Sequence, residues 1–206
     1  MTEALLLTMM DPAPGGEAEF NDWANSEHVP ERKGIAGFRT ALRFENKALS
    51  PRYLAIYDLD DITVLQRAAY LAISGEKLSP WSRRVLARAS ARWRFSGSRI
   101  GALSDAPTTT GAKEPIAELL LVLWRGAPEK CDGMIASTFK TAVDNSPGVA
   151  QSRVFVAESG GRFDYVGIAE SKQPFCVSFS DPARYAAGSQ TCDFAQVFVP
   201  LPVIAM

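Results

Sequence analysis

The chain has little of what catalysis and metal binding most often use. Its 206 residues contain one histidine, His28, and three cysteines, Cys131, Cys176 and Cys192. One imidazole and no CxxC argue against structural zinc, iron facial triads and metalloprotease sites, so no metal is expected. An odd number of widely spaced thiols suits reduced, mostly buried cysteines better than a disulfide framework. There is no GxGxxG and no GxxxxGK[ST] to cradle nucleotide phosphates. The nearest string to a GxSxG elbow, Gly97-Ser98-Arg99-Ile100-Gly101, places its serine one position early. No apolar run approaches the roughly 18 residues of a membrane span, and the opening MTEALLLTMM lacks the positive start and the length of a signal peptide. A formal net charge of −1 supplies no whole-molecule attraction to nucleic acid or an anionic membrane. The expectation is a cytoplasmic protein with no cofactor, no nucleic-acid partner and no membrane partner.

What is present is an ordinary globular composition, 47% hydrophobic and 22% charged, with ample apolar surface for a core. Residues 4 to 10, ALLLTMM, form a short apolar run that reads as a buried strand before the Asp11–Gly16 loop. Phe20, Trp23 and Ala24 have helical spacing. That helix should stop near His28, because Pro30 has no N–H for the ladder, although Pro30 can open a second turn through Glu31 and Arg32. After Gly34 and Gly37, residues Phe38 to Glu45 alternate as a strand, and Tyr53 to Leu59 read as its antiparallel partner. A helix follows Asp60-Asp61, another spans Trp81 to Ala89 with Ser79 as cap, and Arg92 to Ile100 closes the half as a strand.

Residues 104 to 115 carry no large apolar side chain and read as an exposed linker. Beyond them the order repeats: strand Ile116–Trp124, helix Cys131–Val143, strands Val149–Ala157 and Phe163–Ala169, a weak helix at Ala183–Ala187, and strand Phe194–Val199. LLLTM near residue 5 matches LLLVL near residue 119, and AGFRTALRFE matches PGVAQSRVFVAE. The predicted fold is α+β: two tandem ferredoxin-like βαββαβ repeats, residues 1–103 and 116–206, whose bare sheet faces cover each other in an intramolecular barrel-like pseudo-dimer.

The run EFNDWANSEHVPERKGIAGFRTALRF, followed by PRYLAIYDLDD, resembles the EthD-like branch of the dimeric α+β barrel superfamily. There a tryptophan, a helix-end histidine followed by proline, and a Gly-Phe leading into a strand recur in this order. The match covers residues 3 to 100 well and residues 115 to 206 only in architecture. The resemblance implies a barrel enclosing a small-molecule pocket, as in muconolactone-type isomerases, polyketide cyclases and cofactor-free oxygenases. By position, His28 matches the histidine used in several such sites.

Aligning the halves through Gly37 and Gly148 sets Phe139 opposite His28 and Met134 opposite Trp23. A histidine needed only to finish its helix should have a polar counterpart in the second copy, and it does not. Two roles stay open for His28: an acid/base near neutral pH, or a cap on the helix C-terminus. Glu27 and Glu31 are placed to orient the ring or to stand in solvent. Arg39 and Arg43 share a strand face opposite Phe38, Leu42 and Phe44, either as an anion clamp or as solvated edge residues. Trp23, Tyr53, Tyr57 and Trp93 either wall a pocket or fill a core. Six arginines and no carboxylate lie between Lys77 and Ser104, which suits a solvated helix face or an anion-attracting rim better than a nucleic-acid surface. The expected activity is isomerisation of a small anionic carbonyl compound, such as an aromatic ring-cleavage product. His28 would be the acid/base, Arg39 and Arg43 the clamp, and Trp23 with Tyr57 the wall. Ester hydrolysis, cofactor-free oxygenation and non-catalytic binding remain alternatives, and a homodimer of pseudo-dimers is a further option.

Overall fold

The computed structural model describes residues 2–101, 109–111, 115–144 and 146–202. Two compact units divide the chain, Met1–Phe95 with Leu201–Met206, and Ser96–Pro200. Among the described residues no helix is long and apolar enough to cross a membrane.

In the first unit, β1 (Ala4–Asp11) pairs antiparallel with β3 (Tyr53–Leu59), which carries β2 (Leu42–Glu45) on its other side. One face of this sheet is covered by a helical rod from Glu17 to Lys33: α1 (Glu17–Trp23), a π-helical turn (Ala24–His28) and α2 (Val29–Lys33). The stop predicted at His28 does not occur. Instead the helix widens by one residue, with the Val29 amide donating to the Ala24 carbonyl five residues back. Pro30 then falls in the first turn of α2, where its missing donor costs least.

The strand predicted over Phe38–Glu45 is regular only from Leu42. Phe38 bridges to Leu59 whereas Leu42 pairs with Ile56, so this segment carries one residue more than its partner. A one-residue slip exchanges the faces of a strand. Phe38 therefore joins the helix-covered face with Tyr57, the face Arg43 also occupies, instead of sharing one with Leu42 and Phe44. The long helix predicted after Asp61 breaks into a 3-10 turn (Ile62–Gln66), α3 (Ala68–Leu71) and another 3-10 turn (Gly75–Lys77). Buried Val64 packs where a Gly37 side chain would stand, and extended Arg67 reaches back to Asp61 at 3.2 Å. The Ser79 cap holds as predicted: its Oγ accepts from the Ser82 amide and opens α4 (Pro80–Arg88), before β4 (Ser90–Ile100).

In the second unit the strand order is β8 (Phe194–Pro200), β5 (Glu118–Ala127), β7 (Arg162–Ser171), β6 (Val149–Ser159), with the end of β4 on β6. Helix α5 (Asp132–Val143) lays Ile135, Phe139 and Val143 on this sheet. The helix predicted near Ala183 is a pair of 3-10 turns, Val177–Ser180 and Pro182–Tyr185. Of the predicted linker, residues 104–108 and 112–114 lie outside the described residues. Thr110 is not exposed as predicted but buried, its hydroxyl accepting from Arg153 Nη2 at 2.7 Å. The cysteines are unpaired, with Cys176 exposed and the other two half-buried.

Candidate active site

Trp23 and His28 are five residues apart, which on a regular α-helix sets them roughly 140° apart around the axis. The π-turn brings them together: their ring centroids lie 4.4 Å apart with planes inclined by 35°. Buried Trp23 is fixed by its Nε1–H, which donates to Ser82 Oγ at 2.9 Å. The Ser82 and Ser79 hydroxyls both donate to Glu27 Oε1, at 2.8 and 2.6 Å. Glu27 thus ties the rod to the start of α4 and is spent there rather than on His28. Because the helix runs on through α2, His28 does not cap a C-terminus either.

Two spaces adjoin His28. The larger, about 350 Å³, is lined by His28, Arg32, Tyr57, Tyr70, Arg92, Trp93 and Arg94, with Leu6, Leu78 and Leu86 among its apolar walls. That volume suits a small-molecule ligand. The smaller, about 20 Å³, has room for one water and is bounded by Thr8, Trp23, His28, Arg43, Tyr53 and Tyr57 among others. Among the described residues no carboxylate lines either space, and no group of three His, Cys, Asp or Glu residues is placed to hold a metal.

His28 Nδ1 and the Tyr57 hydroxyl are both shut off from solvent and without a hydrogen-bond partner. Leaving such groups unpaired costs about 1–3 kcal/mol each, a penalty that a ligand able to bond them relieves. Burial, helped by the Arg32 and Arg43 charges, pushes the imidazole down to about 3, and burial pushes the Tyr57 phenol up to about 12. At ordinary pH the site therefore presents a neutral base beside a neutral hydroxyl donor.

Arg43 reaches this site and Arg39 does not. Arg43 donates to Asn25 Oδ1 at 2.9 Å and Asn21 Oδ1 at 2.7 Å, and its guanidinium lies over the Phe20 and Tyr53 rings. Burial lowers its pKa. Its holders are neutral amides, so its charge stays available to an anion. Arg39 pairs with Glu3 at 2.5 Å and lies 3.9 Å from Asp60, outside both spaces. The bulge before Leu42 breaks the alternation that placed the two arginines together.

Sequence reasoning missed Arg32 and Tyr70. Arg32 is 4% exposed, bonds Glu31 and the Ile73 carbonyl, and lies over the Tyr70 ring. Its position four residues after His28, one turn along the same helix face, was the signal that could have found it. The arginine-rich run divides: Arg84 and Arg88 pair with Glu19, while Arg92 and Arg94 border the large cavity. In the second unit Phe139, matching His28, is fully buried against Trp124 and Tyr185. There the indole and the phenol around Phe139 are satisfied, Trp124 Nε1 donating to the Tyr185 carbonyl and Tyr185 Oη to the Phe179 carbonyl.

Neither a protein-family model nor a curated protein sequence matches the chain. Solved structures do. A protein assigned as a chlorite dismutase matches with TM-score 0.60 at 10% identity, over 98% of this chain and 96% of its own. An anthrone oxidase-like protein matches with TM-score 0.57 at 9% identity, over 98% and 92%. A protein of Lactobacillus acidophilus NCFM assigned as a monooxygenase matches with TM-score 0.56 at 10% identity, over 98% and 94%. At 9–10% identity these likenesses show that the chain shares an α+β fold with those structures.

Proposed function

We propose that the protein is a cofactor-independent enzyme of small-molecule, aromatic-compound catabolism that isomerises an anionic carbonyl substrate by proton transfer at His28. The observation that carries this reading is the pairing of an unsatisfied neutral imidazole with an unsatisfied phenol beside a cavity of about 350 Å³ that Arg32, Arg92 and Arg94 border and that, among the described residues, no carboxylate lines. An anionic substrate would be held by Arg32, with Arg92 and Arg94 at the edge and Arg43 behind the imidazole. Its negative charge would also offset the guanidinium fields that depress His28, so binding would make the base stronger as the substrate arrives. Tyr57 would hold the developing enolate oxygen, and Trp23 would fix the imidazole plane.

Placement in the EthD-like branch, the reading of the halves as two copies of one ferredoxin-like repeat, and a cytoplasmic setting belong to the same proposal. The repeat reading is supported by the common strand order, β1-β3-β2 in one unit and β5-β7-β6 in the other. Abstraction of a proton to give an enolate also opens cofactor-free oxygenation. The solved structures assigned as monooxygenase and anthrone oxidase-like make that the second reading.

Phenylpyruvate, an anionic aromatic compound with an enolisable carbon, is a suitable probe. In deuterated water the protein should speed exchange at its methylene carbon, followed by NMR, and His28→Ala should abolish the acceleration. No acceleration by the wild-type protein, or unchanged acceleration by His28→Ala, sinks the proposal. Oxygen uptake in the same assay would favour the oxygenase reading.

A further inference from the structure

We propose that the water-sized space beside Arg43 holds an internal water that links His28 Nδ1 to Tyr57 Oη, so that the imidazole passes protons through both of its nitrogens. This rests on the proton-transfer reading above and adds how the site moves charge.

The geometry supplies what a buried water needs. The space measures about 20 Å³, above the minimum of about 10–15 Å³ for one water, and a water there also requires two to four polar partners. Thr8, His28, Arg43 and Tyr57 border it, and two of these bring atoms that are sealed from solvent and have no other partner, His28 Nδ1 and Tyr57 Oη. The two rings stand edge to face with centroids 6.4 Å apart, and no hydrogen bond joins them. Asn21 and Asn25 hold the Arg43 guanidinium in place through one N–H from each terminal nitrogen, which leaves further N–H groups for the water. The His28 and Tyr57 side chains also border the large cavity, in which the substrate would sit.

The relay balances. A substrate C–H proton goes to His28 Nε2, and the Nδ1 proton passes to the water. A water proton goes to Tyr57 Oη, and the Tyr57 proton goes to the substrate carbonyl oxygen. One C–H bond is broken, one O–H bond is formed, nothing is oxidised, and the imidazole ends neutral with its proton moved from Nδ1 to Nε2. Return of the Nε2 proton to a different carbon, with the relay running backwards, yields the isomer and restores the starting tautomer. The alternative, a full imidazolium between Arg32 and Arg43 in a desolvated site, is opposed by burial and by both charges.

Replacing His28 by Nδ-methylhistidine blocks Nδ1 and keeps Nε2, and phenylpyruvate exchange reads the result. The relay predicts a loss of at least about 100-fold in exchange rate, the scale of one acid/base contribution, with phenylpyruvate affinity retained. Exchange within threefold of wild type overturns it. Tyr57→Phe, which keeps the ring, provides a second test should the methyl group disturb folding. Its loss should match that of the methylated protein, and combining the two should add nothing further, whereas multiplying losses would overturn the relay. If His28→Ala leaves exchange unchanged, the proton-transfer reading itself falls, which is a different outcome from failure of the relay alone.

Discussion

His28 is the only histidine in the chain, so any imidazole contribution to acid sensitivity is its own. Burial and the neighbouring guanidiniums take it from 6.5 down to about 3 in the folded protein. A base whose folded pKa is depressed leaves the unfolded chain to take the proton first as pH falls. The stability it contributes is therefore whole above pH 6.5 and is lost progressively toward pH 3. The slope approaches about 1.4 kcal/mol per pH unit, so about 3 kcal/mol is gone by pH 4.5. Urea unfolding of the wild type and of His28→Phe at pH 7.5 and 4.5 measures it. Phenylalanine is the residue at the matching place in the second half, and the carboxylates common to both proteins cancel in the comparison. The wild type should lose about 3 kcal/mol more than the variant on acidification. The imidazole Hε1 resonance should hold still down to pH 5 and begin to titrate at higher pH once phenylpyruvate is bound. Equal acid losses in the two proteins, or a ring that titrates near 6.5 in the free protein, would refute the claim that burial sets its charge.

Three further outcomes follow from the contacts. Arg32→Gln should weaken phenylpyruvate binding by about 10- to 100-fold, the worth of a charge-assisted bond, while Arg39→Gln should leave it unchanged; isothermal titration compares them, and equal effects would return Arg39 to the site. Ser82→Ala removes the acceptor of the Trp23 indole and one donor to Glu27, so unfolding free energy should drop by about 1–3 kcal/mol. Gly167→Ala would set a Cβ 2.9 Å from the Phe139 ring, and overpacking there should cost about 1–3 kcal/mol, read as a lower Tm; an unchanged Tm would mean that Phe139 is free to move.

The residues themselves carried the α+β class, most element positions and the choice of His28, because hydrophobic period, turn residues and the Ser79-Pro80 helix start are local properties. Comparison of the two halves also isolated His28 against Phe139 without any structure. Other features depended on how distant segments meet. The π-turn that sets His28 on Trp23 has no periodic signature, since Pro30 reads equally as a stop. The extra residue before Leu42 is invisible in an alternating pattern, yet it decides that Arg43 enters the site while Arg39 pairs with Glu3. Glu27 was legible as a neighbour of His28, but its hydrogen bonds belong to serines more than fifty residues away. Chain-local chemistry determined that this protein carries one lone imidazole on a helix over a sheet. Only tertiary packing decided that the imidazole is neutral, unpaired and flanked by Arg32, Arg43 and Tyr57, because desolvation and unmet hydrogen bonds are properties of enclosed space.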